Sequence, residues 1–223
     1  MIAVKERPIL FSSPMVRAIL AGAKTQTRRV VKQLQGMDPA DVRLARTQGG
    51  YPDGVRPVWE CDFCEPDIFS TPCPYGQPGD RLWVRETWQS VPFGPHRDWP
   101  GCPDLRPQKP SEWNRTAVVI WRADGEMPGS EIWRPSIHMP RWASRIMLEI
   151  TGVRVERLND ISEDDAAAEG VGPGYVPNSL GSTTCVGCRP MFARVWRDIN
   201  GPCSWDANPW VWVVDFKRIE GGV

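Results

Sequence analysis

Met15, Val16, Ile19 and Leu20 recur at three- and four-residue spacing, the period of a helix with one buried face. Ser13 is the expected N-cap, Pro14 fits the first helical position, and Gly22 closes the run. Thr25 to Val31 then reads as extended chain. Gly76-Gln77-Pro78-Gly79-Asp80 is a turn that opens a strand from Arg81 to Trp88, where alternation puts Trp83 on a buried face. Strands are predicted over 116–122 and 145–157, the second broken by Gly152, a candidate bulge. Ser162 begins a short helix that ends at Glu169, with Asp165 completing a Ser-x-x-Asp capping box. Met191, Phe192, Val195, Trp196 and Ile199 share one face of a helix over 190–199, and 209–217 is a closing strand. The stretches at about 33–75, 89–115 and 171–189 keep no period and are rich in turn-forming residues. They read as insertions into a single domain spanning 1–223. Strands outnumber helices, so the expected class is α+β: a small mixed β-barrel with short flanking helices and long loop insertions.

Composition narrows this picture. A chain of 223 residues with 41% apolar content can bury a substantial core. Lys and Arg number 27, equal to Asp and Glu, which argues against a broad basic surface for long polyanions but permits a local basic pocket. Twelve tryptophans mostly build core, leaving a few to stack on bases. No run is apolar enough to span a bilayer and no secretory leader is evident, so the protein is expected to be cytoplasmic, with no membrane partner. Seven cysteines without an export signal do not predict a disulfide framework. Cys61-x-x-Cys64 and Cys185-x-x-Cys188 lie in the insertions, where a structural zinc would staple loops that have little core of their own. Cys73, Cys102 and Cys203 are alternative ligands, with His138 behind them; reduced, independent cysteines are the other reading.

Chemistry concentrates where the first helix ends. Lys24, Thr25, Thr27, Arg28 and Arg29 place an amine, two hydroxyls and two guanidiniums together. A neutral lysine can take a proton from a threonine, and burial or nearby cations would lower its pKa. In one unbroken strand Lys24 and Thr27 would face opposite ways, so the dyad requires Lys24 in the turn after Gly22. A solvated Lys/Arg strand edge is the alternative. Glu169 sits at the negative end of its helix, where macrodipole and acidic neighbours resist ionisation, as suits a general acid; an exposed residue in a fraying turn is the alternative. Arg81, Arg85, Arg141 and Arg145, interleaved with Trp83, Trp88 and Trp142, join Arg28 and Arg29 as candidates for holding a phosphate and stacking a base.

Three segments together resemble the ASCH family, a PUA-like fold. Ile19-Leu20-Ala21-Gly22-Ala23-Lys24-Thr25-Gln26-Thr27-Arg28-Arg29 resembles its helix-exit motif. Pro78-Gly79-Asp80-Arg81-Leu82 resembles its Gly-Asp turn, and Ile161 to Gly170 its capped helix ending in Glu. Trp210 to Phe216 is similar to the closing strand, and the whole chain resembles a long form often carried by prophages. A compact bacterial member of the family is an amidohydrolase that removes the acetyl group from N4-acetylcytidine. The resemblance implies Lys24 as base, Thr27 as nucleophile, Glu169 as proton shuttle, and Arg29 or backbone N–H groups at the oxyanion. It implies no catalytic metal, with a modified nucleoside or single-stranded RNA as partner. Two departures stand out: Ala23 replaces a usual basic residue, and Arg28 occupies a site that is often apolar. Other members bind nucleic acid without chemistry or are associated with RNA cleavage, so a binding module and a ribonuclease are the alternative expectations.

Overall fold

The structure, a computed structural model, describes residues 4–34, 42–45, 58–61, 69–70, 72–92, 117–125, 133–177 and 182–219. Within them the strands are β1 (Glu6–Leu10), β2 (Gln26–Val30), β3 (Val42–Ala45), β4 (Val58–Cys61), β5 (Phe69–Ser70), β6 (Arg81–Arg85), β7 (Trp88–Pro92), β8 (Ala117–Trp121), β9 (Met147–Arg157), β10 (Gly174–Pro177), β11 (Thr183–Val186) and β12 (Trp210–Ile219). The helices are α1 (Ser13–Leu20), α2 (Glu163–Ala168) and α3 (Cys188–Asn200). The class is mixed α+β, mostly sheet.

Five strands form the main sheet in the order β1-β6-β9-β12-β2; β1 and β6 run parallel and the other pairs are antiparallel. β12 carries a nearly unbroken apolar run because both of its faces are covered. Trp212, Val214 and Phe216 point into one core with Ile9, Phe11, Val16, Ile19, Leu82 and Leu148. Val211 and Val213 point the other way, against Phe192 and Trp196 of α3 and Ala166 of α2. The expected bulge is present: Asp215 pairs with Gly152 but Phe216 with Ile150, so Thr151 is the extra residue.

No closed barrel forms among the described residues; β1 and β2 are the free edges of the ladder. A side chain spans them instead. Arg29 of β2 donates from Nη2 to the Leu10 carbonyl at the end of β1, at 2.6 Å.

Several local expectations change. The N-cap of α1 is Ser12, one residue earlier than expected, and its hydroxyl makes no capping bond. The strand from Arg81 stops at Arg85, and a second one starts at Trp88, the expected end of the first, and continues to Pro92 in the stretch expected as loop. Trp83 is half-buried on the face it shares with Arg81 and Arg85, whereas Leu82 and Val84 face the core. Ile199 lies past the packed part of α3 and is 59% exposed. The first insertion contains the small sheet β3-β4-β5, and the third contains the β10–β11 hairpin. No helix among the described residues is long and apolar enough to cross a membrane.

The Gly-Asp turn has a structural task. Asp80 is buried and accepts from the Lys5 N–H (3.1 Å), the Gln77 N–H (3.2 Å) and Arg7 Nη1 (2.8 Å), tying the start of β1 to the turn before β6. Burial pushes its pKa up, but the two N–H groups and Arg7 outweigh this and leave it below the ordinary 3.8. A depressed carboxylate stabilises the fold above its unfolded value and loses that contribution as pH falls through its folded value. Asp80→Ala should therefore cost about 2 kcal/mol at neutral pH, moderated by the solvent around Arg7. The gap to wild type should close in acid, as urea unfolding at pH 7 and pH 3 would measure.

Candidate active site

The end of α1 is built to present Lys24. Gly22 adopts φ +75° and donates to the Ile19 carbonyl, while the Ala23 N–H reaches back to the Ala18 carbonyl. These two bonds form a Schellman motif, which turns the chain sharply out of the helix. Lys24 then pairs as a single antiparallel bridge with Glu169, and the Thr25 N–H donates to the Ala168 carbonyl. The strand proper begins only at Gln26. Lys24 thus lies in the turn, outside the alternation that would have set it against Thr27.

Lys24 is 2% exposed and Glu169 6%. Burial rules out both the solvated strand edge and the frayed helix end. Lys24 Nζ donates to Glu169 Oε2 at 2.5 Å, to the Glu169 carbonyl at 2.9 Å and to the Gln26 carbonyl at 2.8 Å. All three ammonium hydrogens are committed, and Thr27 is not among their acceptors. Burial holds the Lys24 pKa below its ordinary 10.5; Glu169 opposes this, and Arg29 and Arg28 add to it. The neighbouring cations do act in the expected sense, but desolvation is the leading cause.

Thr27 is 2% exposed and pairs with Val214. Two observations put it near Lys24. The Gln26 carbonyl that receives Nζ belongs to the peptide joining Gln26 to Thr27. Thr27 also shares a strand face with Arg29, and the Phe11 ring lies under both the Arg29 guanidinium (5.5 Å) and the Lys24 ammonium (5.6 Å). Arg29 Nε is buried and has no hydrogen-bond partner among the described residues. The site is therefore a buried amine–carboxylate pair with Thr27 and an unspent N–H donor nearby, beside the Arg29–Leu10 contact that joins the two edge strands.

The other candidates divide. The guanidinium of Arg28 is wholly buried and committed to Glu156, Asp165 and Glu169. Arg145 holds Glu86 (3.0 Å) and Asp124 (2.7 Å) and stacks on Trp121. Arg81, Trp83 and Arg85 form a row on β6, which β9 and β12 separate from β2 in the ladder. Arg85 stacks on Trp83 at 5.0 Å and donates to the Met139 carbonyl. Arg141 pairs with Glu6. Trp88 is core, with Trp142 edge-on against it.

Cys185 is exposed near the end of β11 and Cys188 half-buried at the start of α3, so this CxxC spans a strand-to-helix turn. Cys73 packs into the main core, Cys203 is exposed, and His138 ends a 3-10 turn. Cys61 closes β4; Cys64 and Cys102 lie outside the described residues. Among the described residues no group of three or more His, Cys, Asp or Glu is arranged to hold a metal ion.

Sequence reasoning missed Phe11, Gln26 and the close approach at Gly170. Gln26 and Arg28 alternate in a strand rich in polar residues, which was a usable signal; Phe11 gave none. Compared with known proteins, the chain matches no family model, no curated protein and no solved structure.

Gly170 fixes the approach of the two halves. It adopts φ +83°, and a Cβ there would stand 2.9 Å from both Ala18 Cβ and Lys24 Cβ. At Gly22, by contrast, a Cβ would meet no atom within 4 Å. Gly170→Ala should cost about 2–4 kcal/mol, combining a left-handed backbone with overpacking, whereas Gly22→Ala should cost about 1–2 kcal/mol. Chemical denaturation of both variants compares them directly.

Proposed function

We propose that this protein is an amidohydrolase of PUA-like, ASCH type that removes an acyl group from N4-acylated cytidine. The observation that carries the reading is the buried Lys24–Glu169 pair at 2.5 Å, set against the peptide that leads into Thr27. A buried amine with a lowered pKa, beside a carboxylate able to take its proton, is the equipment that activation of a hydroxyl requires.

The chemistry runs in balanced steps. Lys24 passes one proton to Glu169 Oε2, which frees a lone pair on Nζ. That amine takes the Thr27 proton as Oγ1 attacks the acyl carbonyl. Arg29 Nε, unspent in the resting site, donates to the developing oxyanion. The C–N4 bond breaks, and Glu169 gives its proton to the departing cytidine amine. Glu169, again a carboxylate, takes a proton from water as the oxygen attacks the Thr27 ester. Thr27 leaves with the proton held by Lys24, and Glu169 returns its proton to the amine. A structural zinc on Cys61, Cys64, Cys185 and Cys188 is a separate proposal that no step here uses.

Turnover of N4-acetylcytidine, followed by release of cytidine, tests this reading. Lys24→Ala and Thr27→Ala should each lose about a thousandfold in kcat/KM, and Glu169→Gln about a hundredfold, with far-UV circular dichroism confirming folding. Cytidine release that survives in Thr27→Ala would remove the nucleophile assignment. Shortening of single-stranded RNA that requires Lys24 would indicate a nuclease instead.

A second reading, recognition of RNA, is supported by the Arg81–Trp83–Arg85 row. In register, Arg85 stands beside Leu10, whose carbonyl holds Arg29, and the row projects from the sheet face opposite the core that Leu82 and Val84 enter. The double variant Trp83→Ala/Arg85→Ala should weaken binding of single-stranded RNA about tenfold in fluorescence anisotropy, the value of one lost stacking contact.

A further inference from the structure

We propose that Arg28 is a positioning residue for Glu169: it engages Oε1, so that Oε2 is left to Lys24. The inference rests on the hydrolase reading for its catalytic meaning, though not for its geometry. Arg28 lies on the opposite face of β2 from Thr27 and Arg29, and its guanidinium is 0% exposed. Nε and Nη2 grip Glu156 Oε1 at 3.0 and 2.5 Å, and Nη2 also lies 3.3 Å from Asp165 Oδ2. Nη1 donates to Gln26 Oε1 and reaches Glu169 Oε1 at 3.5 Å.

The partners of Arg28 are themselves held. Arg154 takes Glu156 Oε2 (3.0 Å), Asp165 Oδ1 (3.1 Å) and Asp215 Oδ2 (3.0 Å). Gln26 Nε2 donates to Asp165 Oδ1 (3.1 Å) and Asp215 Oδ1 (2.6 Å). A planar guanidinium gripped along one edge and at its tip has no freedom to rotate, so Nη1 is aimed at Glu169 by the rest of the network. The carboxylate of Glu169 is then divided, one oxygen to a permanent cation and the other to a base that must change its charge. Without Arg28 both oxygens would be open to Lys24, and a two-pronged hold would disfavour release of the shuttled proton.

The charged groups around the pair come from every packed element: Arg28 and Arg29 from β2, Asp165 from α2, Arg154 and Glu156 from β9, and Asp215 from β12. Among the described residues, Arg28 is the cation in contact with Glu169 besides Lys24. Removing its charge makes protonation of the amine easier, which moves the Lys24 titration to higher pH.

The test uses the full chain and two readouts. Lys24 is titrated by NMR of its labelled side chain, and kcat/KM on N4-acetylcytidine is measured against pH. In Arg28→Met the Lys24 midpoint and the acid limb of the rate profile should both move up, with turnover at neutral pH lower by about tenfold. Arg28→Lys keeps the charge and should restore the midpoint. Arg28→Met/Glu156→Gln leaves no acid stranded at Glu156 and serves if the single variant fails to fold; its midpoint should move the same way. An unmoved Lys24 midpoint in a folded Arg28→Met or double variant overturns the proposal. Absence of turnover in wild type would sink the hydrolase reading alone, because the NMR titration still decides whether Arg28 acts on the pair.

Discussion

The structure depends on one contact, the meeting of an ammonium and a carboxylate in a place that excludes water. Removing two charges from water costs several kcal/mol per ion, and mutual attraction offsets that only when the remaining hydrogen-bonding capacity is also satisfied. Here it is satisfied on both sides. Lys24 spends its other two donors on the carbonyls of Gln26 and Glu169, and Glu169 has Arg28 at its second oxygen. Backbone devices bring the two residues that close: the Schellman turn at Gly22, the single bridge between Lys24 and Glu169, and the missing side chain at Gly170. A pair this confined has few conformations to lose when a reaction begins, which is how preorganisation lowers a barrier.

The two faces of β2 have different tasks. On one face Gln26 and Arg28 join Arg154 in a lattice with four carboxylates, Glu156, Asp165, Glu169 and Asp215. Thr27 and Arg29 lie on the other face with Phe11, where Arg29 Nε remains unspent. One strand therefore carries a rigid electrostatic support behind and a hydroxyl with a free donor in front. β12 makes this possible: it packs apolar side chains to both sides and holds β2 in register from Val211 to Asp215.

Much of the fold was legible because its signals were local. The periodicity of α1, the extended run after Thr25, the cap at Ser162 and the bulge near Gly152 each depend on residues close in sequence, and the elements formed close to the expected places. Trp83 misled because an aromatic in a strand suggests core, while its neighbours Leu82 and Val84 were the ones facing inward. Ile199 misled because helical periodicity continues past the point where the helix meets the sheet. At the site, the identities of Lys24 and Glu169 were legible but their company was not. The hydrogen bonds that absorb the ammonium, the grip of Arg28 on three acids and the ring beneath two cations join residues far apart in sequence, and no local pattern encodes them.

The ladder order has a further meaning for how the chain is made. Among the described residues β2 has one strand neighbour, β12, so the segment bearing Thr27 emerges from the ribosome long before that partner exists. At about 5–20 residues per second the wait is on the order of ten seconds or more. During that interval Gln26 to Val30 is an orphan edge, and its two adjacent arginines keep it wet and unsticky until the partner strand arrives. Thr27 is thus sheltered only once β12 has been synthesised, and a chain interrupted before that point has no means of completing the site around Lys24.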